Sequence, residues 1–253
     1  MSEAPARELR VRPVAGLPEV TEGMRIGELI AERTELSDGD VLVISQKIVS
    51  KAEGRIRKLS AVLPSAEARR LAAVLGREPA LVELILGESK EVLRAERGVL
   101  IVETRHGLVC ANAGVDSSNL PEPDTVSLLP EDPDASSRRI RGEIAARTGA
   151  TIAVVVSDSF GRAWRLGQAE VAIGCAGLNP LDDWRGRRDA SGHALEATLI
   201  AIADQAASAA DLVRDKDSRI PAAIVSGLER HVTIADGPGA AALRRAPADD
   251  LFR

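Results

Sequence analysis

A chain of 253 residues that is 45% hydrophobic and 28% charged has the composition of a soluble globular protein and enough length to bury its own core. The formal net charge of −5, with no basic tail, argues against nucleic acid as a partner, and no apolar run approaches the roughly 20 residues of a membrane span. Aromatic residues make up only 2%, so Val, Ile, Leu and Ala must build the core.

The opening MSEAPARELR lacks the apolar stretch of a signal peptide. Cys110 and Cys175 are far apart and outside any C-x-x-C pair, so buried free thiols in a cytoplasmic, reducing setting are expected. The alternation Leu-Arg-Val-Arg-Pro-Val over 9–14 predicts an edge strand, because Pro13 has no N–H for a ladder. Ile26, Leu29, Ile30 and Arg33 recur at helical spacing up to the turn cluster Ser37-Asp38-Gly39-Asp40. Val41 to Ile44 predicts a buried strand leading into 45–54, a stretch that holds Lys47 and Lys51 in a chain with only five lysines. Ser65 as N-cap and Gly76 as stop bracket one helix; Pro79 in a first turn and Gly87 at the end bracket another. Residues 98–103 and 107–111 predict a hairpin about Thr104-Arg105-His106. The turn-rich stretch from Asn112 to Asp134 is expected to be a functional loop or a junction between lobes, with Asp134 capping a helix that ends at Gly149. Thr151 to Val156 predicts a buried strand that stops at Ser157-Asp158-Ser159. A long Ala-rich helix over 195–213 and a last buried strand over 220–225 complete a mixed α/β (α+β) architecture.

Asp158 and Ser159 at a strand mouth, and Asp116 among small residues after another strand, suit a cation. Two carboxylates about 5 Å apart at an effective dielectric near 20 repel by roughly 3 kcal/mol, which a divalent ion relieves. Mg²⁺ in particular sits on one or two carboxylates together with phosphate oxygens. The competing reading is that both residues cap turns. Ser45, Gln46 and Lys51 suit phosphate or base recognition, or simply a solvated helix start. The charged run 182–189 suits an anionic substrate or a surface loop, and Arg162 and Arg165 are further candidates for an anionic substrate. There is no G-x-x-x-x-G-K-[ST], no dinucleotide fingerprint and no G-x-S-x-G, and His106, His193 and His231 lack zinc-site spacing. From the residues alone the reading ends at an α/β protein with a metal–phosphate cleft.

Five ordered motifs carry it further: Val14-Ala15-Gly16-Leu17-Pro18, Ser50-Lys51-Ala52-Glu53-Gly54-Arg55, 112–119 (NAGVDSSN), Ser157-Asp158-Ser159-Phe160-Gly161-Arg162 and Asp183-Trp184-Arg185-Gly186-Arg187. Together they resemble the coenzyme F-420-0:L-glutamate (γ-glutamyl) ligase family. That module also forms the N-terminal half of a two-domain actinobacterial version, whose flavin-dependent reductase half is expected to be absent here.

The resemblance implies one ligase domain over 1–253, with two interlocked lobes meeting near 112–134, in a homodimer. It implies that GTP activates the lactyl carboxylate of coenzyme F-420-0, or of its dehydro form, as an acyl phosphate. The amine of L-glutamate then attacks, and γ-linked glutamates follow. It further implies Mg²⁺ or Mn²⁺, two per site, with help from K⁺. By motif position Asp116, Asp158 and Ser159 would ligate metal. Leu17, Pro18, Glu19, Val20, Ser45, Gln46, Lys51 and Asn119 would contact GTP, Gln46 through its backbone. No catalytic residue is assigned. Where archaeal members carry a Gly-rich, acidic stretch that contributes a second-metal ligand, this chain has Val213-Arg214-Asp215-Lys216-Asp217-Ser218-Arg219, leaving Asp215 or Asp217 as unassigned substitutes. Two other functions stay open: a non-catalytic deazaflavin-binding module serving a separate reductase, and a ligase of the same fold for another carboxylate.

Overall fold

A computed structural model describes residues 8–251; most of the opening MSEAPARELR stretch therefore lies outside the described residues. In chain order the elements are β1 (Arg10–Pro13), α1 (Ile26–Ala31), β2 (Val41–Ser45), α2 (Gln46–Ala52), β3 (Ile56–Lys58), α3 (Ala66–Leu75), α4 (Pro79–Gly87), β4 (Ser89–Glu96), β5 (Val99–Thr104), β6 (Val109–Ala111), β7 (Thr125–Ser127), α5 (Pro133–Thr148), β8 (Ala153–Arg162), β9 (Arg165–Ala176), β10 (Leu181–Asp183), β11 (Leu199–Ala201), α6 (Ile202–Asp211) and β12 (Ala222–Ser226). The fold is α+β, with several sheets of mixed composition. No helix among the described residues is long and apolar enough to cross a membrane.

The main sheet has five strands in the order β1-β12-β2-β8-β9. Only β2 and β8 run parallel, with Ser45 opposite Ser157. β1 takes the edge, as Pro13 requires. The apolar runs of β2, β8 and β12 are buried on both faces, the pattern of strands covered from two sides. Side chains alternate across a strand, so the same runs feed two cores. Leu42, Ile44, Val154, Val156 and Ile224 pack with Ile26 and Ile30 of α1 and Ile140 and Ile144 of α5. Val41, Val43, Ala153, Val155, Ala223 and Val225 pack against Ala203, Ala206, Ala207 and Ala210 of α6. Each fully buried Val, Leu or Ile contributes about 1.5–3 kcal/mol, and the alanine face lets α6 lie close to the sheet.

The β8–β9 ladder carries a bulge. Val156 faces Gly174 and Ser157 faces Ala172, leaving Ile173 as the extra residue. Gly174 is required here, because a Cβ on it would lie 2.3 Å from the Pro133 carbonyl at the start of α5. A third core lies between α3, α4 and the sheet β4-β5-β6, with Ala113, Val115, Val126 and Leu128 closing it.

Helix signals hold where the cap is local. The Ser65 hydroxyl accepts from Ala68 N, Gly76 and Gly149 end their helices in the left-handed region, and Pro79 opens α4. Three expectations are corrected. Asp132, not Asp134, caps α5, accepting from Ala135 N; the Asp134 carboxylate instead receives Cys175 N and Ala240 N. The long helix is only 202–211, because Leu199–Ala201 pairs with Leu181–Asp183 as a strand. The strand through 151–156 does not stop at Ser157: β8 runs on to Arg162, supported by β9.

Candidate functional site

In-register parallel pairing of β2 and β8 puts Ser45 beside Ser157 and starts α2 at that end of the sheet. Lys47 and Lys51, spaced i, i+4, lie one turn apart on the same face of α2. The Lys47 ammonium donates to Asp116 Oδ2 at 2.5 Å, to the Ser118 carbonyl at 2.6 Å and to Ser118 Oγ at 2.7 Å. Lys51 donates to Glu19 Oε1 at 2.5 Å and to the Asn119 carbonyl at 3.3 Å. One helix face therefore gathers the 17–20 loop and the 116–119 loop.

The second loop is held firmly. Asp116 exchanges backbone hydrogen bonds with Ser127 of β7 at 3.1 and 2.8 Å. Asn112, Ala113 and Gly114 precede it in successive left-handed conformations, with φ of 54°, 53° and 70°. Two of the three are not glycine, a strain of order 1–3 kcal/mol per residue that the surrounding packing must hold.

β8 supplies the other wall. Val154, Val156 and Phe160 share the face toward α1 and α5, so Asp158 falls on that face too. Its carboxyl is pushed up to about 7 by burial, with Glu170 and Asp116 adding repulsion; the Ser159 N–H and Lys47 offset part of this. Burial also works to raise Asp116, but hydrogen bonds from Lys47 and Ser118 outweigh it and its carboxyl is held below the ordinary value. Ser157 and Ser159 face the α6 side, where their hydroxyls donate to the two oxygens of buried Glu170, each at 2.6 Å. Arg214 reaches Glu170 Oε2 at 3.3 Å, and Lys216 donates to Ser159 Oγ at 2.8 Å.

The expected site residues thus divide. Asp116, Asp158, Lys51, Glu19 and Asn119 come together around α2, and Ser45 stands at its start. Leu17 and Val20 turn their side chains into the core, Pro18 is exposed, and Gln46 accepts from Ser50 Oγ at 2.9 Å within its own helix. Ser159 lies across the strand from Asp158. Arg162 closes the tip of the β8–β9 hairpin on the Leu166 and Gly167 carbonyls, and exposed Arg165 is its cross-strand neighbour. Neither is brought to the carboxylates. In the 182–189 run, Asp183 is forked by Arg185 and held down to about 2 by those hydrogen bonds. Arg187 lies over the Trp184 ring at 5.0 Å, so the run is largely self-paired.

Lys47 and Glu170 are the residues that sequence reasoning did not assign. The i, i+4 lysine spacing was a usable signal for Lys47. Nothing local marked Glu170, whose place depends on the hairpin register.

Asp116 and Asp158 could hold a divalent ion: both offer hard oxygen ligands, and the charged form of Asp158 is disfavoured by burial and then by the carboxylates of Glu170 and Asp116. Among the described residues no group of three or more His, Cys, Asp or Glu side chains is arranged to hold a metal, so protein side chains would supply only part of the coordination. Nucleotide phosphates and water are suited to supply the rest.

The profile of the family described as "F420-0:Gamma-glutamyl ligase" matches residues 16–227, which include both loops, α2, β8 and β9. The chain is 44% identical over 247 residues to "Coenzyme F420:L-glutamate ligase" of Methanopyrus kandleri, covering 97% of this chain and 98% of that protein. The protein of the same name from Methanothermobacter thermautotrophicus is 44% identical, covering 95% and 97%, and that from Haloarcula marismortui is 41% identical, covering 97% and 96%. With a family match over most of its length and relatives of this identity along nearly all of both chains, the chain belongs to the F420-0:γ-glutamyl ligase family.

Proposed function

We propose that the protein is an amide-forming ligase that uses GTP to join L-glutamate to the lactyl carboxylate of coenzyme F-420-0, or of its dehydro form, and then adds γ-linked glutamates. Family membership and the names of its relatives support glutamate ligation in coenzyme F-420 biosynthesis. The observation that carries the finer reading is the convergence of Lys47, Lys51, Asp116 and Asp158 at the end of β2, where Ser45 stands beside Ser157 of β8.

In this reading a substrate carboxylate oxygen attacks the γ-phosphorus of GTP, and GDP leaves. The glutamate amine then adds its lone pair to the acyl carbon, the carbon–oxygen bond to the phosphorus-bearing oxygen breaks so that phosphate leaves with the bridging oxygen, and the nitrogen releases a proton to solvent. Lys47 and Lys51 exchange their carboxylate partners for phosphate oxygens and position the nucleotide. Asp116 and Asp158 would hold Mg²⁺ or Mn²⁺, which supplies charge neutralisation on the phosphates. Backbone groups of 17–20, Ser45 and Gln46, together with Asn119, line the nucleotide. Family resemblance extends the reading to a homodimer and to stimulation by K⁺.

The test is purified protein with GTP, Mn²⁺, L-glutamate and coenzyme F-420-0, followed by chromatography of the deazaflavin. Glutamylated product is expected from wild type and at least about 100-fold less from Asp116→Ala, in line with loss of charge stabilisation in phosphoryl transfer. A folded protein that binds the deazaflavin and makes no product would instead be a binding module. Product from another carboxylate alone would reassign the substrate.

A further inference from the structure

The α6 side of β8 carries a cation of its own. The segment after α6 places Lys216 between exposed Asp215 and Asp217, and it is Lys216 that turns to the strand. Its ammonium lies 2.8 Å from Ser159 Oγ, 3.7 Å from Glu170 Oε1 and 3.9 Å from Asp211 Oδ1. The ammonium thus places a positive charge in hydrogen-bond contact with Ser159 and at ion-pair distance from Glu170 and Asp211. Glu170 is only 6% exposed, and its other oxygen is taken by Arg214 and Ser157. Asp158 faces the opposite side of the strand and cannot join this set without a break in the strand's alternation.

We infer that Lys216 takes the place of a second divalent ion, so that the protein loads one divalent cation, between Asp116 and Asp158, and supplies the other positive charge from its own chain. The inference rests on the divalent-ion reading of Asp116 and Asp158. Its physical basis is a difference in competition: Lys47 is paired with Asp116 but makes no direct bond to Asp158, whereas Lys216 is paired with both Ser159 and Glu170, and Arg214 holds Glu170 as well. Lys216 is a flexible side chain, 70% exposed, so it can also follow a phosphate oxygen without reordering the sheet.

Titrating Mn²⁺ alone into metal-stripped protein and measuring free Mn²⁺ by electron paramagnetic resonance counts bound ions without any need for turnover. Wild type is expected to hold one Mn²⁺ per chain. Lys216→Asp is expected to hold two, the second at least about ten-fold tighter than any second ion on wild type, because a repelling charge becomes an attracting one. Lys216→Arg, which keeps the charge, is expected to hold one. Circular dichroism confirms the fold of each variant. Two ions on wild type, or the same count in wild type and Lys216→Asp, overturns the inference while leaving the Asp116–Asp158 reading intact. Wild type that holds no Mn²⁺ overturns the divalent-ion reading and this inference with it. Loss of the single ion in Asp158→Asn supports both.

Discussion

Replacing Asp158 by Asn should stabilise the metal-free protein, and the gain should depend on pH in a calculable way. The carboxyl is raised from 3.8 to about 7, chiefly by burial and then by Glu170 and Asp116. A group with a raised folded pKa favours the fold when protonated and loses that advantage as pH climbs from the unfolded value to the folded one. A tenfold change in proton affinity is worth about 1.4 kcal/mol, so the charged carboxylate costs the fold roughly 4 kcal/mol by pH 8 and only about 0.5 kcal/mol near pH 4. Asn keeps the shape and carries no charge, so the variant should be more stable by about 2–4 kcal/mol at pH 8, with the difference nearly vanishing near pH 4. Urea denaturation in EDTA across this range measures it. Mn²⁺ should then close most of the gap: an ion at 100 times its dissociation constant adds about 2.7 kcal/mol to wild type and little to the variant. An Asn variant less stable than wild type at pH 8, or a difference that does not change with pH, would refute the assignment of Asp158 as a carboxylate strained for want of a cation.

The other side of β8 should respond in the opposite sense. Glu170→Ala leaves the buried Arg214 guanidinium without its carboxylate and should destabilise by about 3–5 kcal/mol, read as a fall in thermal midpoint, whether or not Mn²⁺ is present. Cys110 and Cys175, both pushed up to about 12 first by burial, should resist a thiol reagent at pH 8 in the native protein and react only with unfolding. Labelling of either at the rate of a free thiol would contradict their packing.

Much of this arrangement is legible in the amino-acid sequence, for reasons that differ by element. The runs 41–44 and 153–156 are apolar because both faces are covered, and a doubly buried strand announces itself without a partner. Ser65, Gly76, Pro79 and Gly149 act within one turn of themselves, so their signals survive as sequence. β4, with the sequence SKEVLRAE, is largely exposed and charged and is a strand only because β5 pairs with it. The extension of β8 through Ser157, Asp158 and Ser159 is likewise carried by β9. Asp116 and Asp158 stood out in the sequence as carboxylates next to apolar runs, though Asp158 lies within β8; Glu170 did not, because only the register of the hairpin sets it opposite Ser159. The side-chain amide of Gln46 is occupied by Ser50, one helical turn on, a pairing set by the helix.

The extra residue at Ile173 has a consequence for how negative charge is shared out. Past that point, counting toward the hairpin tip, every β9 side chain is set by a single inserted residue, and Glu170 is one of them. Were Ile173 to pair with Ser157 instead of bulging out, the regular ladder would set Glu170 opposite Phe160, through the sheet on the face of Asp158. A molecule that now divides its acids two and one would gather all three on one side and leave Arg214 and Lys216 facing none of them. Which side of the sheet holds Glu170 is thus decided by whether a single residue of β9 is paired or bulged.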